Sequence, residues 1–289
     1  MVGKPAPERL PTRTKLFYGV GDVGNAMVNS AISFFLLVFL TDAALVAPAL
    51  AGSALLVGKI YDAINDPLFG WISDRTTSRF GKRRVYMIFG ALPLAVSIVL
   101  LWRMPGGMSE IAVFAWIVGT FIFYDTMNTV TSVPYYALTA ELTDDYDERA
   151  SLTTLRMVLA VPAYLVGAAL TPAIAGLFAS KRVGYGAVGI LYGIIAAAVL
   201  WISAAGIRER KKVSESRAET PPVRAFLATF RNRPFVRLIT AYLIANIAFA
   251  LTQTLMAYFL TYQLHMEGQV PVVMGLLLVT IGLFLFPWK

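Results

Sequence analysis

The chain has 289 residues, of which 57% are hydrophobic and 15% charged, and it carries a formal net charge of +8. Soluble domains average about 45–50% apolar and about 25% charged residues, so this composition excludes an ordinary soluble protein. The absence of cysteine excludes disulfides, iron–sulfur clusters and thiol catalysis, and the single histidine, His265, excludes a histidine-ligated metal site and a Ser-His-Asp triad.

Long stretches without Asp, Glu, Lys or Arg recur along the chain, and each is about long enough to cross a bilayer. Their ranges are 23–41, 157–180, 183–207, 238–266 and 268–288. Backbone polar groups in hydrocarbon must be bonded within the segment, and no alternating ten-residue pattern indicates a barrel, so we predict helices. Eight transmembrane helices, named spans 1 to 8, are predicted at 15–41, 45–73, 85–102, 111–141, 151–180, 184–207, 235–264 and 268–288. The predicted fold class is an all-α, polytopic membrane protein.

The positive charges indicate which ends of the predicted spans face the cytoplasm. Nineteen of the 25 Lys and Arg residues lie before or at the first residue of span 1, between spans 2 and 3, after span 4, or from 208 to 237. Loops on the opposite side hold Arg103, Lys181 and Arg182. Because Lys and Arg concentrate in cytoplasmic loops, we predict a cytoplasmic N-terminus and a multi-pass protein of the inner cell membrane. The expected partner is the lipid bilayer and not a nucleic acid.

The longest polar stretch, residues 208–234, separates six spans from two and is typical of a domain linker. We predict a cytoplasmic segment at 1–14, a six-helix bundle at 15–207, a cytoplasmic linker at 208–234 and the start of a second bundle at 235–289. A weak repeat supports this division. Near the end of span 1 the chain reads Val38-Phe39-Leu40-Thr41, and near the end of span 7 it reads Tyr258-Phe259-Leu260-Thr261.

Spans 1 and 5 each carry an isolated charge, Asp22 and Arg156. An ionisable group inside a membrane costs at least about 2.5 kcal/mol and is usually retained for a function. Asp22 and Arg156 either pair with one another structurally or bind a polar solute, and both interpretations stay open.

Span 2 contains two carboxylates four residues apart, Asp62 and Asp66, with Lys59 one turn earlier on the same side. At this spacing the two carboxylates share a helix face, within about 6 Å of each other. Like charges so close favour a bound cation, either a proton on one carboxyl or an alkali ion such as Na⁺ held by oxygens of both. The alternative is an ion pair between Lys59 and Asp62 that only locks helix packing.

Polar residues also form a stripe along span 4. Their spacing of i, i+4, i+7 and i+11 places them on one side of the helix. The members are Asp125, Thr129, Ser132 and Tyr136. The stripe either lines a cavity or joins two helices through its hydroxyl groups.

Several strings of residues in the first five spans occur together in a recognisable order. The most specific reads Tyr61-Asp62-Ala-Ile-Asn65-Asp66-Pro67, followed by Gly70-Trp71 and by Arg79-Phe-Gly81-Lys82-Arg83. Weaker strings are Lys15-Leu-x-Tyr18-Gly19-x-Gly21, Val133-Pro134-Tyr135 with Leu138, and Asp147-Glu148-Arg149. Over roughly residues 15 to 160 the chain thus resembles the glycoside-pentoside-hexuronide:cation symporters of the major facilitator superfamily.

The resemblance implies a secondary symporter, not an enzyme, that moves a sugar, glycoside or related small polar solute by alternating access. It implies Na⁺ or H⁺ as the coupling ion and no other cofactor. The cation site it implies consists of Asp62, Asn65, Asp66 and Thr129, and the positions it assigns to the sugar site are Tyr136 and Arg156.

The chain departs from the family pattern at the expected solute site. In the melibiose branch two aspartates contact the sugar, and Ala26 and Ser132 stand in those places here, while Tyr136 stands where tryptophan is typical. Asp22, one turn from Ala26, and Asp125, two turns from Ser132, are candidates for the missing acceptors. The expected solute-binding set is therefore Asp22, Ala26, Asp125, Ser132, Tyr136 and Arg156.

The loop between spans 2 and 3 resembles the superfamily's Gly-x-x-x-Asp-Arg signature with its basic run. Its members are Gly70, Asp74, Arg75, Lys82, Arg83 and Arg84. The basic residues set the topology, and we expect Asp74 to anchor the inward-closed state as well, by pairing with a cytoplasmic Arg.

The family is built from twelve helices in two halves, whereas eight spans are predicted here, so we expect a truncated or fragmentary transporter. One alternative is a lysolipid-type or non-transporting relative of the same fold. Another is an intramembrane prenyltransferase that holds Mg²⁺ and pyrophosphate at Asn65-Asp66 and at 144–148, but the second aspartate expected soon after Asn65-Asp66 is missing. The sequence contains no signal for the oligomeric state.

Overall fold

The computed structural model describes residues 10–209 and 232–285, and all regular structure within these ranges is helical. The α-helices are α1 Thr12–Val20, α2 Val23–Val38, α3 Pro48–Arg75, α4 Arg84–Leu101, α5 Glu110–Leu142, α6 Tyr146–Gly176, α7 Lys181–Gly206, α8 Arg233–Tyr258 and α9 Val270–Leu285. Two π-helical segments, Phe39–Ala43 and Phe259–Gln263, continue α2 and α8, and a 3₁₀ turn at Glu267–Gln269 precedes α9. The predicted all-α class is confirmed.

Helices stand at all eight predicted spans, with ends shifted by a few residues. The main difference lies in span 1, where α1 ends at Val20 and α2 begins at Val23. At this break the N–H of Gly21 bonds the carbonyl of Tyr18, three residues earlier, at 3.2 Å. The break places Asp22 at the N-terminus of α2.

Within the described ranges, six helical segments are long and apolar enough to cross a membrane. They are Thr12–Ala43, Arg84–Leu101, Glu110–Leu142, Tyr146–Gly176, Lys181–Gly206 and Arg233–Gln263. The remaining two predicted spans are α3, whose charged and amide residues lower its hydropathy, and α9, of which 16 residues are described.

Helices α1 to α7 pack around a shared apolar core. In that core α4 packs against α5 and α7, α2 packs against α6 and α7, and α3 packs against α5. Small residues allow some of these approaches, as is usual for membrane helices. A Cβ atom added to Gly24 of α2 would lie 2.5 Å from the Cα of Ala196 on α7, so this contact requires glycine.

Helices α8 and α9 contact the first seven helices at α2 and α6, respectively. The contact of α8 is confined to its C-terminal half, where Gln253 and Ala257 are buried, whereas every residue from 237 to 252 is exposed. Most of the predicted linker lies outside the described residues, because 210–231 are not among them. The predicted domain boundaries therefore stay predictions.

The repeated Phe-Leu-Thr string has the same unusual backbone in both copies. Each copy forms a π-helical segment, and the two segments lie 220 residues apart. Each is followed, at the same offset, by a residue in the left-handed region, Leu45 with φ of 58° and His265 with φ of 53°. The local backbone thus repeats more closely than the sequence does.

Candidate cation and solute sites

The contact between α3 and α5 brings together most of the polar residues predicted for the cation site. Thr129 donates its hydroxyl to Asp66 Oδ1 at 2.8 Å. Asn65, which is 2% exposed, donates its amide to Asp125 Oδ2 at 3.4 Å. Tyr61 and Thr126 share a hydrogen bond of 2.8 Å beside them. Two helices therefore supply carboxylate, amide and hydroxyl oxygens to one place.

The carboxylates at this contact differ in their surroundings. Asp62 pairs with Lys59 at 3.4 Å, with 32% and 63% of the two side chains exposed, so the pair contributes little to stability. Asp62 also lies within interaction range of Asp125. Among the described residues, no group of three or more His, Cys, Asp or Glu side chains is arranged to hold a metal ion. An alkali ion here would need neutral oxygens as well as carboxylates.

A second polar cluster joins the start of α2 to α5 and α6. Tyr136 donates its hydroxyl to Asp22 Oδ1 at 3.0 Å. Asn25 donates its amide to the hydroxyl of Tyr136 at 3.1 Å and to Asp22 at 3.4 Å. The sequence analysis missed Asn25, because a neutral amide in an apolar run carries no charge signal. Its position three residues after Asp22 and four before Asn29, which donates to it at 2.9 Å, was the available signal.

Arg156 completes this second cluster from α6. Its Nε lies 3.8 Å from Asp22 Oδ2, and its guanidinium stacks over the ring of Tyr136 at 4.6 Å. Nε is buried and has no hydrogen-bond partner within the described part of the chain. The two isolated charges predicted in spans 1 and 5 are therefore neighbours, and the Arg156 guanidinium retains unused donor capacity.

The predicted stripe on α5 is divided between these two clusters. Asp125 and Thr129 lie at α3, whereas Tyr136 lies at α2 and α6. Ser132 lines a small pocket with Asp22 and Asn25. Of the expected solute-binding residues, Asp125 thus lies with the cation-site residues, and Ala26 is 9% exposed within the apolar core.

On the side predicted to be cytoplasmic, Arg83 joins three segments. It is 6% exposed, pairs with Asp74 and with Glu141 (2.8 Å), and donates to the hydroxyl of Ser73 at 2.6 Å. Burial works to lower the pKa of Arg83, but the hydrogen bonds and charges of Glu141 and Asp74 outweigh it and raise that pKa. Arg83 is therefore held as a cation. Glu141 was missed because an acidic residue near a helix end has no distinctive sequence signal.

Glu209, also missed, caps the N-terminus of α4. Its carboxylate accepts the backbone N–H groups of Lys82, Arg83 (2.9 Å) and Arg84, where the partial positive charge of a helix N-terminus favours an anion. Gly81 has φ of 105°, and a Cβ there would lie 2.7 Å from the Glu209 carboxylate, so this position requires glycine.

The remaining basic residues of the loop have separate contacts. The guanidinium of Arg75 stacks on the ring of Trp71 at 4.0 Å, and Arg84 Nε donates to the carbonyl of Ala204 at 2.8 Å. The Arg75 contact lies within the last turn of α3, whereas Arg84 ties the start of α4 to the end of α7.

Comparison with known proteins identifies the family to which the chain belongs. Residues 17–289 match the family model described as MFS/sugar transport protein. An uncharacterised symporter of Synechocystis sp. is 38% identical over 71% of this chain. A sodium-dependent lysophosphatidylcholine symporter of Gallus gallus is 29% identical over 91% of the chain, and an isoprimeverose transporter of Lactiplantibacillus pentosus is 28% identical over 96%.

The matches cover 39%, 56% and 59% of those three relatives, so the chain spans about half the length of the curated relatives it matches. The family description and the relatives' names are those of transporters, which argues against a prenyltransferase. The resemblance to the glycoside-pentoside-hexuronide symporters is confirmed at the level of the family. With a model match over nearly its whole length, this multi-pass membrane chain belongs to the MFS/sugar transport protein family.

Proposed function

We propose that this chain provides the cation and solute sites of a secondary symporter that couples Na⁺ or H⁺ to a small polar solute. The observation that carries the proposal is the α3–α5 contact, where Thr129 donates to Asp66 and Asn65 donates to Asp125. Charged groups are costly inside a membrane, and an oxygen-rich group there is suited to a monovalent cation. The symporter names of several relatives support a coupled mechanism.

We propose Asp62, Asn65, Asp66 and Thr129 as the cation site. Carboxylate, amide and hydroxyl oxygens are the ligands that hard cations prefer. The sodium dependence named for the lysophosphatidylcholine symporter supports Na⁺ as a candidate, and the carboxylates serve H⁺ equally well. No further cofactor is proposed.

We propose the cluster around Asp22 as the solute site, with a sugar or glycoside as the solute class. Asp22 accepts hydrogen bonds, Asn25 and Tyr136 donate them, and Arg156 Nε is a donor without a partner among the described residues; this mixture suits vicinal hydroxyl groups. The isoprimeverose transporter among the relatives supports this class. A lysolipid, named for another relative, is the competing solute, because Arg156 is also suited to a phosphate.

The orientation and domains follow the charge pattern. We propose that the N-terminus, Arg83 and Glu209 face the cytoplasm of a cell whose inner membrane holds the protein. We propose 15–207 as one half of an alternating-access transporter and 235–289 as the start of the other. The loop from Asp74 to Arg84 then lies where a cytoplasmic gate is expected.

Ligand binding to the purified chain in lipid nanodiscs tests the proposal. Titration calorimetry with NaCl, at fixed ionic strength, should show binding that Asp66→Asn weakens, while Glu110→Gln, an exposed carboxylate at the start of α5, should bind as the unmodified chain does. Titration with a panel of glycosides and with lysophosphatidylcholine should show Na⁺- or pH-dependent glycoside binding. Binding that is indifferent to cation, pH and Asp66 would contradict symport, and binding of the lysolipid alone would replace the solute class.

A further inference from the structure

Helices α4 and α7 meet along a seam at the end of the bundle where α4 begins and α7 ends. Arg84 Nε donates to the carbonyl of Ala204 at 2.8 Å, and Trp201 Nε1 donates to the carbonyl of Ile88 at 2.9 Å. We call the surface around these four residues the α4–α7 seam. Within the described ranges, α8 and α9 pack mainly on α2 and α6, so the start of the second bundle leaves the seam uncovered.

The seam begins at the level where lipid headgroups meet the hydrocarbon core. Helix α4 has 18 residues, so at 1.5 Å per residue it is about 27 Å long, close to the hydrocarbon thickness of about 30 Å. Arg84, its first residue, therefore lies at one boundary of that core. Further along, both helices expose aliphatic side chains, among them Leu92, Val96 and Ile194. This part of the surface is suited to acyl chains.

Three exposed aromatic rings stand at the headgroup end of the seam: Phe80, Phe89 and Trp201. The rings of Phe80 and Phe89 meet edge to face, with centroids 5.6 Å apart. Trp201 reaches the backbone of Ile88, the residue next to Phe89. Trp is enriched at membrane–water interfaces, where its ring meets the acyl chains and its N–H meets a polar group. The rings thus agree with an interfacial position.

The same end of the seam carries more positive than negative charge. Arg79 is exposed, lies over the ring of Phe80 at 4.8 Å, and forms no ion pair in the described ranges. The other basic residues here that form no ion pair within those ranges are Lys82, Arg84 and Arg208. The oxygens of the nearby Glu209 carboxylate already accept three backbone N–H groups. The guanidinium groups therefore retain donors for an anion from outside the protein.

We propose that the headgroup end of the α4–α7 seam binds an anionic phospholipid of the adjacent leaflet, with its phosphate near Arg79 and Arg84 and its acyl chains along α4 and α7. Guanidinium groups bind phosphate through paired N–H donors, and basic pockets between membrane helices bind anionic headgroups. Basic residues that only set the topology need no such pairing with aromatic rings. The inference is independent of the symporter proposal, because it involves neither polar cluster.

Fluorescence quenching by brominated lipid tests this site. The purified chain is reconstituted in phosphatidylcholine bilayers in which a fixed fraction of the lipid is replaced by phosphatidylglycerol, or by phosphatidylcholine, with bromine in the acyl chains. The quenching of Trp201 is the difference between the unmodified chain and Trp201→Phe. Brominated phosphatidylglycerol should quench Trp201 several-fold more effectively than the same fraction of brominated phosphatidylcholine.

Arg79→Gln should reduce this preference about fivefold, the effect of one basic side chain near an anionic lipid. Arg237→Gln is the matched control, because it removes an exposed arginine near the start of α8, on the side where α7 ends. It should leave the preference unchanged. Native mass spectrometry, in which retained phosphatidylglycerol is counted, gives a second readout that needs no Trp variant. There, Arg79→Gln should retain less lipid than Arg237→Gln.

Equal quenching of Trp201 by the two lipids would overturn the proposed site. Equal losses in Arg79→Gln and Arg237→Gln would replace it with diffuse attraction to a basic face. Displacement of phosphatidylglycerol by an equal concentration of inorganic phosphate would also overturn it, in favour of a soluble phosphate compound. A preference that Arg79→Gln reduces and Arg237→Gln leaves intact, in both readouts, supports the assignment.

Discussion

Polar residues at different positions along α5 contact different helices, because α5 crosses from α3 to α2. Thr129 reaches Asp66 on α3, whereas Tyr136, about two turns later, reaches Asp22 at the start of α2. The two proposed sites are therefore linked through one helix. Each residue should affect one ligand directly and the other through the helix.

Substitution of Thr129 and Tyr136 separates these effects. Thr129→Ala removes a hydrogen bond to a charged group, worth about 1.5 kcal/mol or more, so cation affinity should fall roughly tenfold. Solute affinity should fall only under conditions in which solute binding depends on a bound cation. Tyr136→Phe should weaken solute binding even at saturating cation.

Calorimetric titration of each ligand with and without the other measures the coupling. Linkage requires the two ligands to tighten each other by the same factor, roughly 5- to 150-fold for a coupling of about 1–3 kcal/mol. Thr126→Val, which removes a neighbouring hydroxyl bonded to Tyr61, is the control. Affinities that are independent of one another would make the α3–α5 residues a structural cluster only.

At the scale of elements, helix ends carry the contacts that a gate would use. The start of α4 is held by the carboxylate of Glu209, and Arg83 ties the same loop to α5 through Glu141. At the other side of the molecule, the π-helical segments that end α2 and α8 meet. At each end a few hydrogen bonds or ion pairs hold the helices together, and a conformational change would have to break them.

Removal of the Glu209 cap should destabilise the end of the helix bundle that we propose to be cytoplasmic. Glu209→Gln removes the negative charge that three N–H groups share, and we expect a loss of about 1–2 kcal/mol, or roughly 2 to 5 °C in the unfolding midpoint. Thermal unfolding in detergent measures the loss. Glu110→Gln, exposed in the first turn of α5, should lose less, and equal losses would contradict a specific cap.

Substitution of Asp74 should change the equilibrium between the inward-open and inward-closed states more than it changes the free energy of unfolding. Its side chain is 61% exposed, so its pair with Arg83 contributes at most about 1 kcal/mol. In a complete transporter of the proposed kind that carries this sequence, Asp74→Ala should shift the equilibrium toward the inward-open state. Faster alkylation of Ala137→Cys from the cytoplasmic side would report the shift. An unchanged rate, equal to that of the Asp144→Ala control, would leave the loop with a topological role only.

The contact between the π-helical segments should act as a latch. Tyr258 and Thr41 share a hydrogen bond of 2.7 Å, and Tyr262 donates to Asp42 at 2.9 Å. A double change of Tyr258 and Tyr262 to Phe keeps the rings but removes both bonds, so the ends of α2 and α8 should separate more often. The readout is the alkylation rate of Ala257→Cys, a position that is 3% exposed in this contact.

Tyr242→Phe provides the control for the latch, because it removes a hydroxyl from the exposed half of α8. It should leave the alkylation rate of Ala257→Cys unchanged. A rate that is the same with and without the two latch hydroxyls would show that apolar packing alone holds the ends together.

For the whole molecule, much of the architecture could be predicted, because long apolar stretches in the sequence indicate membrane helices. Asp62 and Asp66 could be singled out because a charge inside such a helix stands out, whereas Thr129 was singled out by its place in the polar stripe of span 4 and by the resemblance; their role as a cation site stays a proposal. Asn25 and Glu209 could not be predicted, because the role of a neutral amide or of a loop carboxylate depends on partners that are distant in the sequence. The break before Asp22 escaped prediction because glycine and aspartate at a helix kink resemble those in a continuous helix.

Orientation in the membrane can be tested directly, since the chain has no cysteine of its own. Single substitutions Thr77→Cys and Ala179→Cys place thiols at exposed positions in loops on opposite sides. An impermeant maleimide added to intact spheroplasts should label Ala179→Cys and spare Thr77→Cys, and lysis should make both react. The reverse pattern would invert the topology that the Lys and Arg distribution predicts.

The Glu209 cap imposes an order on synthesis. The N–H groups that it accepts belong to residues 125 to 127 positions earlier in the chain. Because a chain is made from its N-terminus, α4 leaves the ribosome long before its capping carboxylate exists. This end of α4 can therefore reach the form seen here only after α7 and Glu209 have been translated.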